Sequence, residues 1–554
     1  MRDSANRLLM VLAAVVAVLV IAIVVVSVVL IAAGSSGGSS ASPAKSNSGP
    51  PAAAGNAFRL GGSDPLTLDP AQSFDVDSAR YIVEIFGGLV QLDKNLKVIP
   101  DIAERWDVSQ PDAQGQVTYT FHLRKDVAFS RSHRRVTAAD FKYSWERALN
   151  PKTNSPVADT YLGDIVGAHA YEDGQASDVS GIKVVDDSTL QVTIKQAEPY
   201  FLDKLTYTVA DVVNKDQVEK NPRGWTLAPD GTGPFILAKY DVGQQLILEA
   251  NSSYHLGKPA VPEVRFDLAG GGGLTQYQAG EVDITGVGIN DIESIRDPNN
   301  PLHQQFQEST ALGVFYLAFN TQVAPFDDPK VREAFALAVD RDKIASVVLK
   351  DIAKPADRIL PPGMPLRSDA VKGLSYDPAR AKQLLQESRY NGKLPRLQLY
   401  TSGAGANADV ETQAIVQQLK DNLGVDIEIQ QVEPATFLQD AKRGRYAMWV
   451  AGWSADYPDP EDFLDVLFYS KSKQNDFRYS NAQVDDLLVR ARTEQDKAKR
   501  EQLYAQAEQL IVNDAPVAPL TYDADNALVK PYVKGFFLPG MIIPWLRYIS
   551  IQRG

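Results

Sequence analysis

A short acidic and aromatic segment near residue 456 carries the residue types best suited to binding chemistry. It runs Trp453-Ser-Ala-Asp456-Tyr457-Pro-Asp459-Pro-Glu461-Asp462, with four carboxylates and two aromatic rings. A carboxylate in a cleft that excludes water is a good receptor for an ammonium group, through a charge-assisted hydrogen bond. Neighbouring aromatic faces add cation–π attraction or cover apolar parts of a ligand. Asp456, flanked by Trp453 and Tyr457, is therefore the first candidate for a ligand-binding residue.

Three other roles are open to the same segment. Asp456 could cap the following helix, with Trp453 as an ordinary core residue. The four carboxylates could bind calcium, although the segment lacks the spacing and the glycine of an EF-hand loop, and two prolines stiffen it. Two of the carboxylates could also serve as the acid and the base of a glycosidase, but the sequence does not fix their separation.

The composition argues against several classes of protein. The 554 residues include no cysteine, which excludes disulfides, thiol catalysis, cysteine zinc sites and a lipid-modified N-terminal cysteine. The five histidines are not at metal-ligand spacing, and no nucleophile elbow or phosphate-binding loop is present. We therefore expect no metal and no cofactor. A formal net charge of −13 gives no electrostatic reason to bind nucleic acid.

The N-terminal region predicts a membrane anchor at residues 8–33, and a signal peptide with late cleavage is the alternative for the same run. Residues 8–33 are an almost unbroken run of Val, Leu, Ile and Ala, long enough to cross a bilayer and longer than the apolar stretch of a cleaved signal peptide. Arg2 and Arg7 precede the run, so the positive-inside rule keeps residues 1–7 in the cytoplasm and directs the rest outward. Residues 34–56 are mostly Gly, Ser, Ala, Pro and Asn, a composition typical of a disordered linker.

The globular part begins near residue 57, and its two halves differ. The first half alternates strand and helix patterns, including a capping box at Thr137-Ala-Ala-Asp140, and favours mixed or antiparallel sheets. The second half predicts strands at 397–402, 425–431 and 448–453, with helices at 410–423 and 435–442. This βαβαβ order predicts a parallel sheet. Ligands bind outside the carboxyl ends of parallel strands, where Asp456 stands. For the basic residues Arg131, Arg134 and Arg135 we expect a solvated loop.

An ordered series of short motifs runs through the chain after residue 57. It comprises Leu68-Asp-Pro70, Pro100-Asp-Ile-Ala-Glu-Arg-Trp106, residues 119–129, Val136-Thr-Ala-Ala-Asp140, Ser144-Trp-Glu-Arg-Ala-Leu149, Gly231-Thr-Gly-Pro-Phe235, Asn251-Ser-Ser-Tyr254, Gly280-Glu-Val-Asp283, Phe319-Asn320, Pro325-Phe-Asp-Asp328, Val331-Arg-Glu-Ala334, Ala338-Val-Asp-Arg341 and Trp453-Ser-Ala-Asp-Tyr-Pro-Asp-Pro460. As a set, these motifs resemble the extracellular solute-binding proteins of family 5, which include the oligopeptide and dipeptide receptors of ABC importers.

The resemblance implies an α/β fold of the periplasmic-binding-protein type (type II). This is a two-lobe clamshell with an extra inserted α+β lobe, here preceded by one transmembrane helix. The solute-binding domain is then 57–554, with lobe I at 57–80, 203–316 and 521–554, the inserted lobe at 81–202 and lobe II at 317–520. Hinge strands are expected near 317–320 and 520–522. The lobes close over the ligand, and the permease recognises the closed form.

The resemblance also implies a binding site. In peptide-binding members, the Asp of the Trp-x-x-Asp-Tyr motif pairs with the ligand's α-ammonium, and here that residue is Asp456. The strand around residues 452–454 pairs with the ligand main chain as an added β-strand. The expected ligand-binding residues are therefore Gly452, Trp453, Ser454, Asp456 and Tyr457.

These expectations define a function and its alternatives. The protein is expected to be the substrate-binding component of an ABC importer, a monomer that captures short peptides at the outer face of the cell membrane and delivers them to the permease without catalysis. The same fold could instead bind an oligosaccharide, with Trp225 and Trp453 as stacking surfaces, or a nickel chelate or an opine. A membrane-anchored extracellular hydrolase is the alternative from another class. Val450 stands where some oligopeptide receptors carry an Arg, so the preferred peptide length is left open.

Overall fold

The computed structural model describes residues 57–270, 273–403, 405 and 408–553. The predicted cytoplasmic segment, membrane anchor and linker lie outside the described residues. Among the helices of the described part, none has the length and hydropathy that a membrane crossing requires.

The strands of the described residues are numbered here in chain order. They are β1 (Phe58–Gly61), β2 (Val90–Leu92), β3 (Val98–Pro100), β4 (Ala103–Val108), β5 (Val117–Leu123), β6 (Ile182–Asp186), β7 (Thr189–Ile194), β8 (Phe235–Asp241), β9 (Gln245–Ala250), β10 (Glu263–Asp267), β11 (Ile284–Thr285), β12 (Phe306–Phe319), β13 (Lys354–Pro355), β14 (Leu397–Ser402), β15 (Ile427–Val432), β16 (Met448–Ser454), β17 (Val517–Val529), β18 (Val533–Lys534) and β19 (Ser550–Ile551).

The α-helices are numbered in the same way. They are α1 (Val76–Ile85), α2 (Ala138–Leu149), α3 (Ala158–Leu162), α4 (Ala168–Glu172), α5 (Phe201–Lys204), α6 (Lys215–Lys220), α7 (Gly273–Ala279), α8 (Ile292–Arg296), α9 (Pro329–Leu337), α10 (Arg341–Lys343), α11 (Pro378–Glu387), α12 (Val410–Leu423), α13 (Pro434–Lys442), α14 (Glu461–Phe468), α15 (Ala482–Thr493) and α16 (Lys497–Asp514).

One extended sheet runs through most of the described structure. Its strand order is β15-β14-β16-β12-β17-β11-β1-β10-β9-β8, with β13 paired to β17. Strand β14 is parallel to both β15 and β16, so the predicted parallel sheet is confirmed. Helix α12 has the predicted bounds, and α13 begins one residue earlier than predicted. Both faces of this region are buried: Leu399 and Val450 pack in one core cluster, and Trp449 packs in another.

Strands β12 and β17 are the longest in the sheet and pair with each other in antiparallel fashion. The pairing is interrupted between Thr310 and Val314, where three residues of β12 stand opposite Asp523. Gly313 is part of this irregularity, and a Cβ atom added to it would lie 2.0 Å from Asp523 Oδ2. A bulge of this kind bends the strand and redirects nearby side chains. Here it occurs where β12 begins to pair with β16.

A separate four-stranded antiparallel sheet has the order β4-β5-β7-β6. The predicted capping box begins helix α2 beside it, where the Thr137 N–H donates to Asp140 Oδ2 at 2.8 Å. Trp145 on that helix is fully buried, and its Nε1–H donates to the Ala210 carbonyl at 2.9 Å. The core around this sheet also contains Tyr457, which arrives from the other end of the chain.

The basic loop at residues 131–135 is exposed at Arg131 and partly exposed at Arg134 and Arg135, as expected, but its basic side chains also bond to neighbouring segments. The Arg131 Nε–H donates to the Pro229 carbonyl at 3.0 Å. Arg134 pairs with Asp140 at 2.7 Å, and Arg135 donates to Ser188 Oγ at 2.9 Å. The physical reason is that neighbouring segments supply acceptors, which sequence proximity alone does not reveal.

The motif Gly231-Thr-Gly-Pro packs against the end of helix α1, and this contact yields a prediction. A Cβ atom on Gly231 would lie 2.0 Å from the Ile85 carbonyl oxygen, a backbone atom that cannot rotate away. We expect Gly231→Ala to lower the free energy of unfolding by about 1–3 kcal/mol, as overpacking does. The measurement is the midpoint of thermal unfolding. Gly288→Ala is the control, since its Cβ would contact nothing within 4 Å. Equal midpoints for the two variants would contradict the close packing.

Candidate functional site

Strand β16 has an open edge near its carboxyl end. On one side, β12 pairs with β16 along its whole length, from Met448 to Ser454. On the other side, β14 pairs with it only at Tyr400 opposite Trp449. Among the described residues, none pairs with the last residues of β16 on the side of β14, so this part of β16 is an open edge of the described sheet.

The direction of the backbone groups along this edge follows from one hydrogen bond. The Ala455 N–H donates to the Leu312 carbonyl of β12 at 2.7 Å. Backbone groups of an antiparallel strand point alternately to one neighbour and to the other. The N–H and C=O groups of Gly452 and Ser454 therefore point away from β12, to the open edge, and both residues are exposed. This arrangement can accept an extended chain as an additional strand.

Two cavities adjoin this edge. The side cavity, of about 530 Å³, is lined by Gly452 together with Glu411 and apolar side chains such as Phe437. The central cavity, of about 780 Å³, is lined by Ser454 and Asp523 among others. Both volumes are in the range of small-molecule sites.

Asp456 lies just beyond the open edge and forms hydrogen bonds with two neighbours, Tyr161 and Asp462. The Tyr161 hydroxyl donates to Asp456 Oδ2. The Asp456 N–H donates to Asp462 Oδ2 at 3.0 Å, and the Trp453 Nε1–H donates to the same oxygen at 3.2 Å. Asp462 thus fixes both the backbone at Asp456 and the indole ring of Trp453. Asp462 is the second residue of α14, which begins at Glu461, so the Asp462 carboxylate lies within hydrogen-bond distance of Trp453 and Asp456.

Burial determines the electrostatics of these carboxyl groups. It raises the pKa of Asp456 to about 7, while the hydrogen bond from Tyr161 acts in the opposite direction. Burial also raises the pKa of Asp462 well above its ordinary value, and the nearby charge of Asp456 adds to this rise. Asp462 Oδ1 is buried without a hydrogen-bond partner among the described residues. A cation placed beside these two carboxyl groups would favour their ionised forms.

Tyr457 lies in the interior of the protein. It has no exposed surface, its hydroxyl donates to Glu461 Oε2, and its ring packs edge-on against Tyr161 at 6.1 Å. Tyr161 in turn stacks on Tyr207 at 4.0 Å. Tyr457 therefore supports the residues around Asp456 and offers no surface to a ligand in this conformation.

The five predicted residues are close together in sequence but differ in exposure. Gly452 lines the side cavity and Ser454 lines the central cavity, whereas Trp453, Asp456 and Tyr457 line neither. Trp453 and Asp456 are partly exposed.

The alternative roles of the acidic segment find little support in the geometry. The N-cap residue of α14 is Pro460 and not Asp456. Asp459 forms a buried ion pair with Arg500 at 2.7 Å, which accounts for that carboxylate structurally. Among the described residues, no group of three or more His, Asp or Glu side chains is arranged to hold a metal ion.

Sequence reasoning missed Tyr161, Glu411 and Asp523. Tyr161 is 295 positions from Asp456, and no local pattern connects the two. Glu411 could have been found, because it follows the carboxyl end of a predicted parallel strand, as Asp456 does. Asp523 lies within a long strand, and only the pairing of β12 with β17 brings it beside Ser454.

Comparison with known proteins identifies the class. The model for the bacterial extracellular solute-binding proteins, family 5, matches residues 97–475. The chain is 33% identical to the probable deoxycholate-binding periplasmic protein YgiS of Escherichia coli, over 86% of this chain and 89% of that protein. It is 31% identical to the periplasmic oligopeptide-binding protein OppA of E. coli, with the same coverage. It is 30% identical to the dipeptide-binding protein DppE of Bacillus subtilis, over 85% of this chain and 88% of that protein.

The chain therefore belongs to the bacterial extracellular solute-binding proteins of family 5. Among solved structures, it resembles the Haemophilus influenzae OppA complex with the peptide RPPGFSPFR, with a TM-score of 0.79, 26% identity and coverage of 90% of this chain and 99% of that one. The unliganded open form of the murein tripeptide-binding protein MppA matches with a TM-score of 0.65, 29% identity and coverage of 89% and 97%. The arrangement described here is thus closer to the peptide complex than to the open form.

The interior position of Tyr457 yields a prediction. Tyr457→Ala removes a fully buried ring, so we expect the free energy of unfolding to fall by about 3–5 kcal/mol. Tyr457→Phe keeps the ring and removes only the donor to Glu461, and we expect a smaller loss of about 1–3 kcal/mol. Denaturant-induced unfolding of both variants provides the measurement. A Tyr457→Ala variant as stable as the wild type would show that the ring is not part of the core.

Proposed function

We propose that this protein captures short peptides outside the cytoplasmic membrane and delivers them to the permease of an ABC importer. The observation that carries the proposal is the open edge of β16, where Gly452 and Ser454 direct backbone donors and acceptors away from β12, beside Asp456. Every peptide carries matching donors and acceptors at strand spacing, so the edge reads the backbone and tolerates many side chains.

The orientation of the bound peptide follows from Asp456. The peptide's α-ammonium would lie against this carboxylate, beyond the end of β16, and its main chain would run back past Ser454 and Gly452. The ligand strand is then antiparallel to β16. A cation is the ligand group that the Asp456–Asp462 pair lacks, and its arrival would favour the ionised form of Asp456.

The lobes assigned above form part of the proposal. The strands of the assigned lobe I, β1 and β8–β11, are contiguous in the sheet, β14–β16 of lobe II form its other end, and β4–β7 of the inserted lobe form their own sheet. Strands β12 and β17 join the two ends and would act as the hinge, with the irregularity at residues 311–313 as the point of bending. We also propose that residues 8–33 anchor a monomer to the cell membrane.

The other solutes fit the described cavities less well. An anionic steroid such as deoxycholate would meet Glu411, Asp523 and Asp525, with Arg80 as the one basic residue among the described residues that line the two cavities. Sugar stacking on Trp225 is excluded in this conformation, because Trp225 is buried against Phe86. We further propose stoichiometric binding without turnover, in place of a hydrolase.

Loss of the carboxylate at position 456 should abolish recognition of the peptide amino terminus. A ligand at 100 times its dissociation constant stabilises a protein by about 2.7 kcal/mol, so free tripeptides should raise the unfolding midpoint of the full-length chain and N-acetylated tripeptides should not. Asp456→Asn should remove the shift. Asp173→Asn is the control, because Asp173 is exposed and lines neither cavity. Equal shifts with free and acetylated peptides would contradict the role of Asp456.

The raised pKa of Asp456 predicts a pH dependence. Below about pH 7 this carboxyl group is neutral and cannot form an ion pair, so affinity for a free amino terminus should fall up to tenfold per unit as the pH decreases from 7 to about 5. Above about pH 8 the peptide's own amino group loses its charge, and affinity should fall again. Titration calorimetry across this range measures the profile. The groups that face Asp456 are Tyr161, Tyr207 and Asp462. A flat profile would oppose the proposed ion pair.

A further inference from the structure

The side cavity is an apolar pocket with a carboxylate in its wall. Phe315, Leu349, Phe437 and Val450 supply apolar lining, and Glu411 lies in the first turn of α12. The Thr521 hydroxyl donates to Glu411 Oε1 at 3.1 Å, which fixes the orientation of the carboxylate.

Asp409, the other carboxylate in the lining, already has local partners. Its side chain caps α12 and accepts hydrogen bonds from the Thr412 N–H at 2.8 Å and from the Thr412 hydroxyl at 2.7 Å. Capping of this kind satisfies a carboxylate and stabilises the helix start. Asp409 is therefore accounted for by the fold, whereas Glu411 is not needed as a cap.

Glu411 lacks a cationic partner. Among the described residues, no Lys, Arg or His nitrogen lies within 4.0 Å of its carboxylate. The negative charges that act on it are those of Asp409 and Asp523, and burial raises its pKa to about 7. The Asp523 carboxylate occupies the space beside Gly313 that a Cβ atom on that glycine would fill. A cation that reached Glu411 would therefore supply the charge partner that the described residues do not, and would favour its ionised form.

A peptide bound as proposed would present a side chain to this pocket. Gly452 belongs both to the open edge and to the lining of the side cavity. A strand that pairs with Gly452 and Ser454, with its amino terminus at Asp456, would place one of its first few side chains at the mouth of the cavity, since side chains alternate between the faces of a strand.

We propose that the side cavity is a specificity pocket for a basic side chain near the amino terminus of the bound peptide, and that Glu411 pairs with its cation. This inference rests on the proposed function and specifies its substrate class. The aliphatic stem of a lysine or arginine would lie along Phe315, Phe437 and Val450, and its charged head would reach Glu411. A short apolar side chain would leave that carboxylate without a cationic partner.

The test is a scan of tetra-alanine peptides with lysine, norleucine or glutamine at each of the four positions. Norleucine has the stem of lysine without its amine. Calorimetry with the full-length chain should show lysine binding at least about tenfold more tightly than norleucine at one internal position. Glu411→Gln should abolish that preference, so that lysine and norleucine bind with similar affinity at that position. The control is Glu104→Gln, at an exposed position on β4.

The outcomes separate this inference from the proposed function. Binding of tetra-alanine that depends on Asp456, with no preference for lysine at any position, would overturn the specificity pocket alone. A lysine preference that survives Glu411→Gln would overturn the role of Glu411. Failure of every peptide to bind the wild type would overturn both proposals. The wild-type comparison of lysine with norleucine decides the question even if the variant proves unstable.

Discussion

The early end of β14 is the constraint on which the site depends. Strand β16 continues past its last pairing with β14, so its final residues pair with β12 on one side and, within the described part of the chain, with no strand on the other. Backbone N–H and C=O groups must find partners, and an open edge attracts any extended chain. At Gly452 the absence of a side chain leaves the edge unobstructed. Under the proposed function, this open edge between the two cavities would serve as the surface that binds the ligand's main chain.

Burial of charged groups near the carboxyl end of β16 is unfavourable, and a buried ion pair nearby offsets part of this free energy. Lys204 pairs with Asp164 at 2.7 Å and approaches Glu461 at 3.5 Å, so a buried cation joins segments far apart in sequence. Asp456 and Asp462 have hydrogen-bond donors but no such cation among the described residues. Removing a charge from water without pairing it is unfavourable. Glu461 therefore belongs to an ion network that includes Lys204, whereas Asp456 and Asp462 are the carboxyl groups that a ligand's cation would pair with under the proposed function.

The sequence was sufficient for the parts of this molecule that depend on local patterns. The strand at Leu397–Ser402 and the helix at Val410–Leu423 have the predicted bounds, because hydrophobic periodicity and caps act over a few residues. The position of Asp456 after a parallel strand also followed from the order of elements. The hydrogen bond from Tyr161 to Asp456 and the position of Asp523 beside Gly313 could not be predicted. Each depends on contacts between segments that only the complete fold brings together. Tyr457 was expected at the surface of the site for the same reason, since spacing does not distinguish an aromatic that faces a cleft from one that supports it.

Breadth and selectivity can coexist in this site because they come from different atoms. In the proposed complex, hydrogen bonds to the backbone at Gly452 and Ser454 would be the same for every peptide, so they would contribute affinity without discrimination. Discrimination is a difference between ligands and must come from side chains, here the apolar lining and the carboxylate of Glu411. Relatives that carry the same fold but bind other solutes could then differ in the cavity walls while retaining the sheet. In the proposed site, the polar groups of the edge would select an extended peptide chain, and the cavities would select among the side chains that such a chain carries.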